Sequence, residues 1–190
     1  MLARRESQSE PERTLVLVKP DGVQDRRCGQ ILCRLEETGL ILVGMKLCRV
    51  TKQRAELHVS RSVDRLEQAG QRELQWCDKQ SLFPMEIYNS VVPESIGRKV
   101  REWRIDFLMS GPVVAMVLEG EDAVAAIRKM VGHCFPEQSL RGTIRNDFGR
   151  DTALKAANEK RAVRNVVHAS SSPQEAEREI SVWFSPAELL

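Results

Sequence analysis

Asn165-Val166-Val167-His168-Ala169-Ser170-Ser171-Ser172-Pro173-Gln174-Glu175 carries a short apolar run into a histidine and then into a helix start. Asn165 to Val167 suit a buried strand end. Ser172, Pro173 and Glu175 form a helix N-terminus, with Ser172 as N-cap, Pro173 at N1 where its missing N–H costs nothing, and Glu175 at N3 able to reach back as in a capping box. The pattern therefore predicts His168 at a strand-to-helix turn. Farther along, Ala176, Ile180, Trp183 and Phe184 recur at helical spacing as a core face. Glu179 falls about two turns after Ser172 and projects from the same side of the helix. A carboxylate there can hold one ring nitrogen of His168 and leave the other free as a nucleophile.

Working outward, Arg13 to Val18 (RTLVLV) is a strand whose unbroken apolar character predicts burial on both faces. It stops at the turn signal Lys19-Pro20-Asp21-Gly22, which leaves Lys19 at the strand end. The spacing predicts a helix over 29–38 closed by Gly39, a strand over 40–50 and a capped helix over 51–58. Residues 59 to 97 show no clear period and read as an insertion. Ile96, Val100, Trp103 and Phe107 then define an amphipathic helix over 94–109, with Arg98, Lys99, Arg101 and Arg104 on a solvated face. Val113 to Leu118 (VVAMVL) is a third buried strand and 122–131 a further helix. The irregular stretch 132–150 is of a length that loops reach mainly when they are functional or disordered. A short helix over 153–163 leads to the last strand, 165–167.

The order β-α-β-α, α, β-α-β-α fits an α+β fold of ferredoxin-like type, a four-stranded antiparallel sheet covered by helices with helical insertions. A doubly wound parallel sheet is the competing arrangement. The expected organisation is a polar, frayed segment over 1–12 and one domain over 13–190, with insertions at about 60–97 and 149–164. At 190 residues, 42% hydrophobic and 29% charged, the chain has material for one core. Its 29 basic and 27 acidic residues, a net charge of +2, are too balanced for a nucleic-acid footprint. Apolar runs too short to span a bilayer, and no apolar leader, predict a soluble, cytoplasmic protein. Five cysteines without a CxxC pair argue against a disulfide framework or zinc site, and Cys33 and Cys48 read as small core residues. His133-Cys134 lacks the further partners that a tetrahedral metal site needs.

None of the familiar phosphate-binding motifs is present. Instead Lys19, Arg128 and Arg145 stand near element ends. Singly each reads as a surface charge; together with a positioned histidine they would form a polyphosphate clamp.

Four blocks, ERTLVLVKPDGV, SGPVVAMVLEG, GTIRNDF and NVVHASSSPQEAEREISVWF, resemble the signature blocks of the nucleoside diphosphate kinase family, in the family's order and over most of the chain. The resemblance implies the ferredoxin-like fold and a ping-pong transfer of the γ-phosphate from ATP or another triphosphate to nucleoside diphosphates. The carrier it implies is a phosphohistidine at His168. By the same resemblance Lys19, Arg128, Arg145, Asn165 and the position of Cys134 bind phosphate and ribose, Ser170 and Glu179 hold the histidine, Mg²⁺ is held through the nucleotide phosphates, and the chain forms a homo-oligomer. There are departures. Cys134 stands where the family has a phosphate-binding threonine, Ser171 replaces an aspartate, and Val59 replaces a tyrosine. The RPFF segment whose phenylalanine stacks on the base has no counterpart, so Trp76, Phe83 and Tyr88 of the insertion become candidates to cover the base. Cys134, Ser171 and the missing stacking aromatic support a rival, a kinase-like scaffold or regulatory nucleotide-binding module with weak or lost turnover, while the retained Lys19, Arg128, Arg145, His168 and Glu179 oppose it and leave an active kinase as the leading expectation.

Overall fold

The computed structural model describes residues 11–190. Most of the expected frayed segment lies outside that range, and its last residue, Glu12, already opens a strand. In chain order the elements are β1 (Glu12–Val18), α1 (Pro20–Gln24), α2 (Cys28–Glu36), β2 (Ile41–Arg49), α3 (Lys52–His58), α4 (Val63–Lys79), α5 (Pro84–Tyr88) and α6 (Pro93–Met109). Then come β3 (Pro112–Gly120), α7 (Ala123–Val131), α8 (Ile144–Phe148), α9 (Ala153–Asn158), β4 (Val167–Ala169) and α10 (Pro173–Trp183). The strands form one antiparallel sheet in the order β2-β3-β1-β4, the ferredoxin-like arrangement. Among the described residues no helix is long and apolar enough to cross a membrane.

The unbroken apolar run of β1 follows from cover on both faces. Leu15 and Leu17 join a core with Ala55 of α3, Ile105 and Leu108 of α6, and Ile180 and Trp183 of α10. Val16 and Val18 point the other way, into a core with Ile31 and Leu35 of α2 and Ile127 and Val131 of α7. A strand buried twice has no room for alternation.

Several expectations are corrected. The stretch 59–97, which shows no period to the eye, contains the 17-residue helix α4. Its buried stripe, Leu66, Ala69, Gly70, Trp76 and Cys77, has helical spacing, but small residues thin it. The smallness has a packing reason. A Cβ on Gly70 would lie 1.8 Å from the carbonyl oxygen of Pro93, and one on Gly97 would lie 2.0 Å from that of Leu66, so α4 and α6 cross backbone against backbone. The insertion is thus docked against α6 through backbone contacts. The turn after Lys19 is the short helix α1, because Pro20 fits a first helical position. The helix expected to reach residue 163 ends at Asn158, and the last strand starts at Val167 rather than Asn165. Cys33 is exposed and Cys48 half-buried; the buried cysteine is Cys77.

Candidate active site

His168 lies on β4 opposite Leu17 of β1, with 22% of its side chain exposed. Its Nε2 is 2.9 Å from Oε2 of Glu179, and the Ser170 hydroxyl donates to the same oxygen at 2.6 Å. The sequence pattern of a histidine followed two turns on by a carboxylate is therefore realised as a contact. Burial alone would push the Glu179 carboxyl up. The charge and hydrogen bond of His168, the nearby His58 and the Ser170 hydroxyl outweigh burial and hold it at about 2. A carboxylate accepts only, so Nε2 carries the proton and Nδ1 is left with its lone pair. Among the described residues no group bonds to Nδ1.

His58, the last residue of α3, packs edge-on against His168 with ring centroids 4.5 Å apart. Its Nδ1 accepts from the Trp183 indole N–H at 3.2 Å. Burial first, and then the charge on His168, lower its pKa to about 3, so it stays neutral. His58, His168 and Glu179 bring their possible ligand atoms within 4.8 Å of one another. Within this cluster His168 Nε2 and Glu179 Oε2 are already joined by a hydrogen bond, which holds the histidine in place.

A second group converges from four elements. Lys19, at the end of β1, donates from Nζ to Oδ1 of Asn165 at 2.6 Å, and the Asn165 amide donates to the backbone oxygen of Cys134 at 2.6 Å. Loss of water and then the neighbouring Arg145 charge lower the Lys19 pKa to about 7. Arg145 of α8, 4% exposed, donates to the carbonyls of Gly132 and Val167 at 3.0 and 2.9 Å, and its buried Nε has no partner among the described residues. Burial, followed by repulsion from Arg128, lowers its pKa to about 10.

The turn that places Asn165 was invisible in the sequence. Val166 has φ of +56°, a left-handed conformation that a β-branched residue rarely takes, and the Val167 N–H closes a three-residue turn onto Asn165 O at 2.7 Å. Asp21 holds this turn by accepting from the Val166 N–H at 2.9 Å, and the Lys19 N–H donates to Val166 O at 2.8 Å. Strain of this kind costs roughly 1–3 kcal/mol and persists where surrounding bonds over-determine it.

These groups open on one cavity of about 580 Å³, lined by Lys19, Arg128, Cys134, Arg145, Asn165, His168 and Glu179 and walled by α4, α6 and α9. Of the catalytic and phosphate-binding residues expected from the sequence only Ser170 is not on the lining; it stands behind, on Glu179. Ser171 donates from its N–H, at 2.8 Å, and from its hydroxyl to the carboxylate of Glu175. Glu175 thus reaches Ser171 rather than closing a capping box on Ser172, whose hydroxyl still accepts from the Glu175 N–H. Trp76 and Tyr88 do line the cavity, whereas Phe83 does not and is 71% exposed. The expected solvated face of α6 is only partly that: Arg101 and Arg104 turn to the cavity. Sequence reading missed His58, Trp183, Asp21 and Val166, which act through contacts with residues distant in the chain.

A histidine fixed by a carboxylate and facing a cavity ringed with lysine and arginine is an arrangement built for phosphoryl transfer. The chain belongs to the nucleoside diphosphate kinase family, whose profile matches residues 12–69 and 80–189. The interruption at 70–79 falls within α4. The nucleoside diphosphate kinase of Pyrobaculum aerophilum is 38% identical over 94% of this chain and 98% of its own length. That of Archaeoglobus fulgidus is 37% identical over 94% of this chain and 90% of its own. Among solved structures, an NDP kinase from Pyrobaculum aerophilum superposes with a TM-score of 0.91 over 95% of this chain and 99% of that one, at 37% identity. A transition-state mimic of the Borrelia burgdorferi enzyme with bound vanadate and ADP gives 0.73 at 28% identity, covering 95% and 90%. The chain is thus a phosphotransferase, and the scaffold alternative is not favoured.

Proposed function

We propose that this enzyme moves the γ-phosphate of ATP or another nucleoside triphosphate to nucleoside diphosphates through His168. The observation that carries the reading is the division of labour on one imidazole: Nε2 is held by Glu179, while Nδ1 is unbonded at the wall of a cavity that also presents Lys19, Arg128, Arg145 and Asn165. In the first half-reaction the Nδ1 lone pair attacks the γ-phosphorus, the bond to the β–γ bridging oxygen breaks, and the diphosphate leaves with that electron pair. The ring then carries positive charge that Glu179 stabilises. In the return step a terminal β-phosphate oxygen of the acceptor attacks phosphorus, and the N–P bond gives its electrons back to the ring. Such transfers ask a protein mainly for positioning and charge neutralisation, which Lys19, Arg128 and Arg145 supply, with Asn165 on the ribose and phosphate side. Cys134 offers a thiol where a hydroxyl would donate more strongly.

Mg²⁺ carried on the nucleotide phosphates supplies the remaining neutralisation. The donor set fits an ion carried in this way: the carboxylates on the lining, Glu73, Glu175 and Glu179, are each hydrogen-bonded to a neighbouring side chain. We take residues 13–190 as one catalytic unit acting in the cytoplasm. Exposed Ile41, Met45 and Leu47 on the edge strand β2 support a homo-oligomer.

The test is incubation with γ-labelled ATP and Mg²⁺ without acceptor. Acid-labile, base-stable label should appear on the protein, move to added GDP, and be absent from His168→Ala. A His168→Ala protein that still transfers phosphate would overturn the assignment.

A further inference from the structure

Asp21 of α1 is absent from the cavity lining and takes no part in the chemistry above. Its Oδ2 accepts from the Val166 N–H at 2.9 Å, while its Oδ1 is buried and has no partner among the described residues. Burial pushes its carboxyl up, against the bond from Val166 and the charge of Lys19. A buried acceptor left without a partner lowers stability, so something other than stability accounts for a carboxylate here. What it grips is the only β-branched residue with a positive φ among the described residues. Two neighbours close on the same residue. The Lys19 N–H donates to Val166 O at 2.8 Å, and Gly22 comes so near that a Cβ on it would lie 2.8 Å from that oxygen.

Val166 separates two parts of the site. On one side Asn165 bridges Lys19 Nζ and the Cys134 carbonyl, each at 2.6 Å. On the other, pairing of β4 with β1 starts at Val167 and sets His168 opposite Leu17. Resting on the kinase reading above, we infer that Asp21 is a positioning residue for phosphoryl transfer: by holding Val166 left-handed it fixes how Asn165 stands relative to His168. A valine released from that bond relaxes toward the extended conformation that its branched side chain prefers, and the peptide planes on both sides of it turn. A shift of about 1 Å in such a site can cost on the order of 10²-fold in rate. In this reading the carboxylate acts as an acceptor for one N–H, and its charge is incidental.

The experiment measures the rate at which saturating γ-labelled ATP labels the protein, together with the urea midpoint, in the parent, Asp21→Asn, Asp21→Ala and the double variant Asp21→Ala with Val166→Gly. Asp21→Asn keeps an oxygen for the Val166 N–H and should label within about threefold of the parent, whereas Asp21→Ala should be slower by about tenfold or more. Glycine takes the left-handed conformation unaided, so the double variant should recover most of the rate. Its urea midpoint should nevertheless fall below that of Asp21→Ala, because a valine side chain only 2% exposed is lost. Rate restored while stability drops is a combination that a merely structural Asp21 does not produce. Asp21→Ala labelling at the parent rate, Asp21→Asn as slow as Asp21→Ala, or a double variant no faster than Asp21→Ala would each overturn the inference. If Asp21→Ala does not fold, Asp21→Ser, whose hydroxyl ends one bond short of the carboxylate oxygens, takes its place in both comparisons. Transfer through His168 is scored separately, by the loss of label in His168→Ala.

Discussion

Lys19→Met should change how stability depends on pH. In the folded protein burial and the Arg145 charge bring the Lys19 pKa from 10.5 to about 7. In the unfolded chain the ammonium keeps its proton to about 10.5. Between those values the unfolded state binds more protons, so stability rises with pH, by at most about 1.36 kcal/mol per unit. From pH 7.0 to 8.5 that limit is about 2 kcal/mol. Lys19 is half-buried and faces water in the cavity, so screening reduces the expected gain to about 1 kcal/mol. The thiols of Cys28 and Cys77, pushed up by burial, titrate in both proteins and cancel in the comparison. The assay is urea denaturation of parent and variant at both pH values and one protein concentration. The parent should gain about half a molar in midpoint relative to Lys19→Met, given usual urea slopes. Parallel pH dependences in the two proteins would refute the argument, since they would mean that Lys19 keeps an ordinary pKa. The same substitution should cut turnover by about 10²–10³-fold, the usual cost of removing one preorganised charge contact. A lysine that is a burden to the fold and needed by the reaction is the pattern expected of a site held for function.

Glu179→Gln should fold, because an amide oxygen can still accept from His168 and Ser170, yet slow phosphorylation of the enzyme by about 10²-fold in rapid-quench labelling; an unchanged rate would make Glu179 structural. Cys134→Thr should raise turnover or leave it unchanged in a coupled assay, since a hydroxyl donates better than a thiol, and a clear loss would mean that the loop is fitted to the cysteine. Gly97→Ala must push α4 off α6 and should lower stability by about 1–3 kcal/mol in thermal unfolding while raising nucleotide KM; a variant as stable as the parent would contradict the backbone contact at this crossing.

What the sequence made legible is what repeats locally. The strand β1 with Lys19 at its end, the Ser172 cap and the spacing from His168 to Glu179 all follow from neighbours in the chain, and each stands in the structure where the pattern put it. Val166 shows the limit. Valine argues for an extended conformation, and the reasoning that extends the last strand back to Asn165 is sound for a residue judged by its own preference. The bonds from Asp21 and Lys19, more than 140 residues away, override that preference.

The insertion fails for a related reason. A helix read from its apolar stripe needs large side chains in the stripe, and α4 has Ala69 and Gly70 there because its neighbour's backbone occupies the space. The feature that hides the helix from sequence reading is therefore the one that docks it. The consequence reaches the site, since only a closely docked α4 turns Glu73 and Trp76 toward the cavity. Phe83, one of the three aromatics of the insertion named as candidates to cover the base, lies past the end of α4 and is left in solvent. The segment that stands in place of the usual base-stacking phenylalanine thus brings Trp76 and Tyr88, and not Phe83, onto the cavity lining.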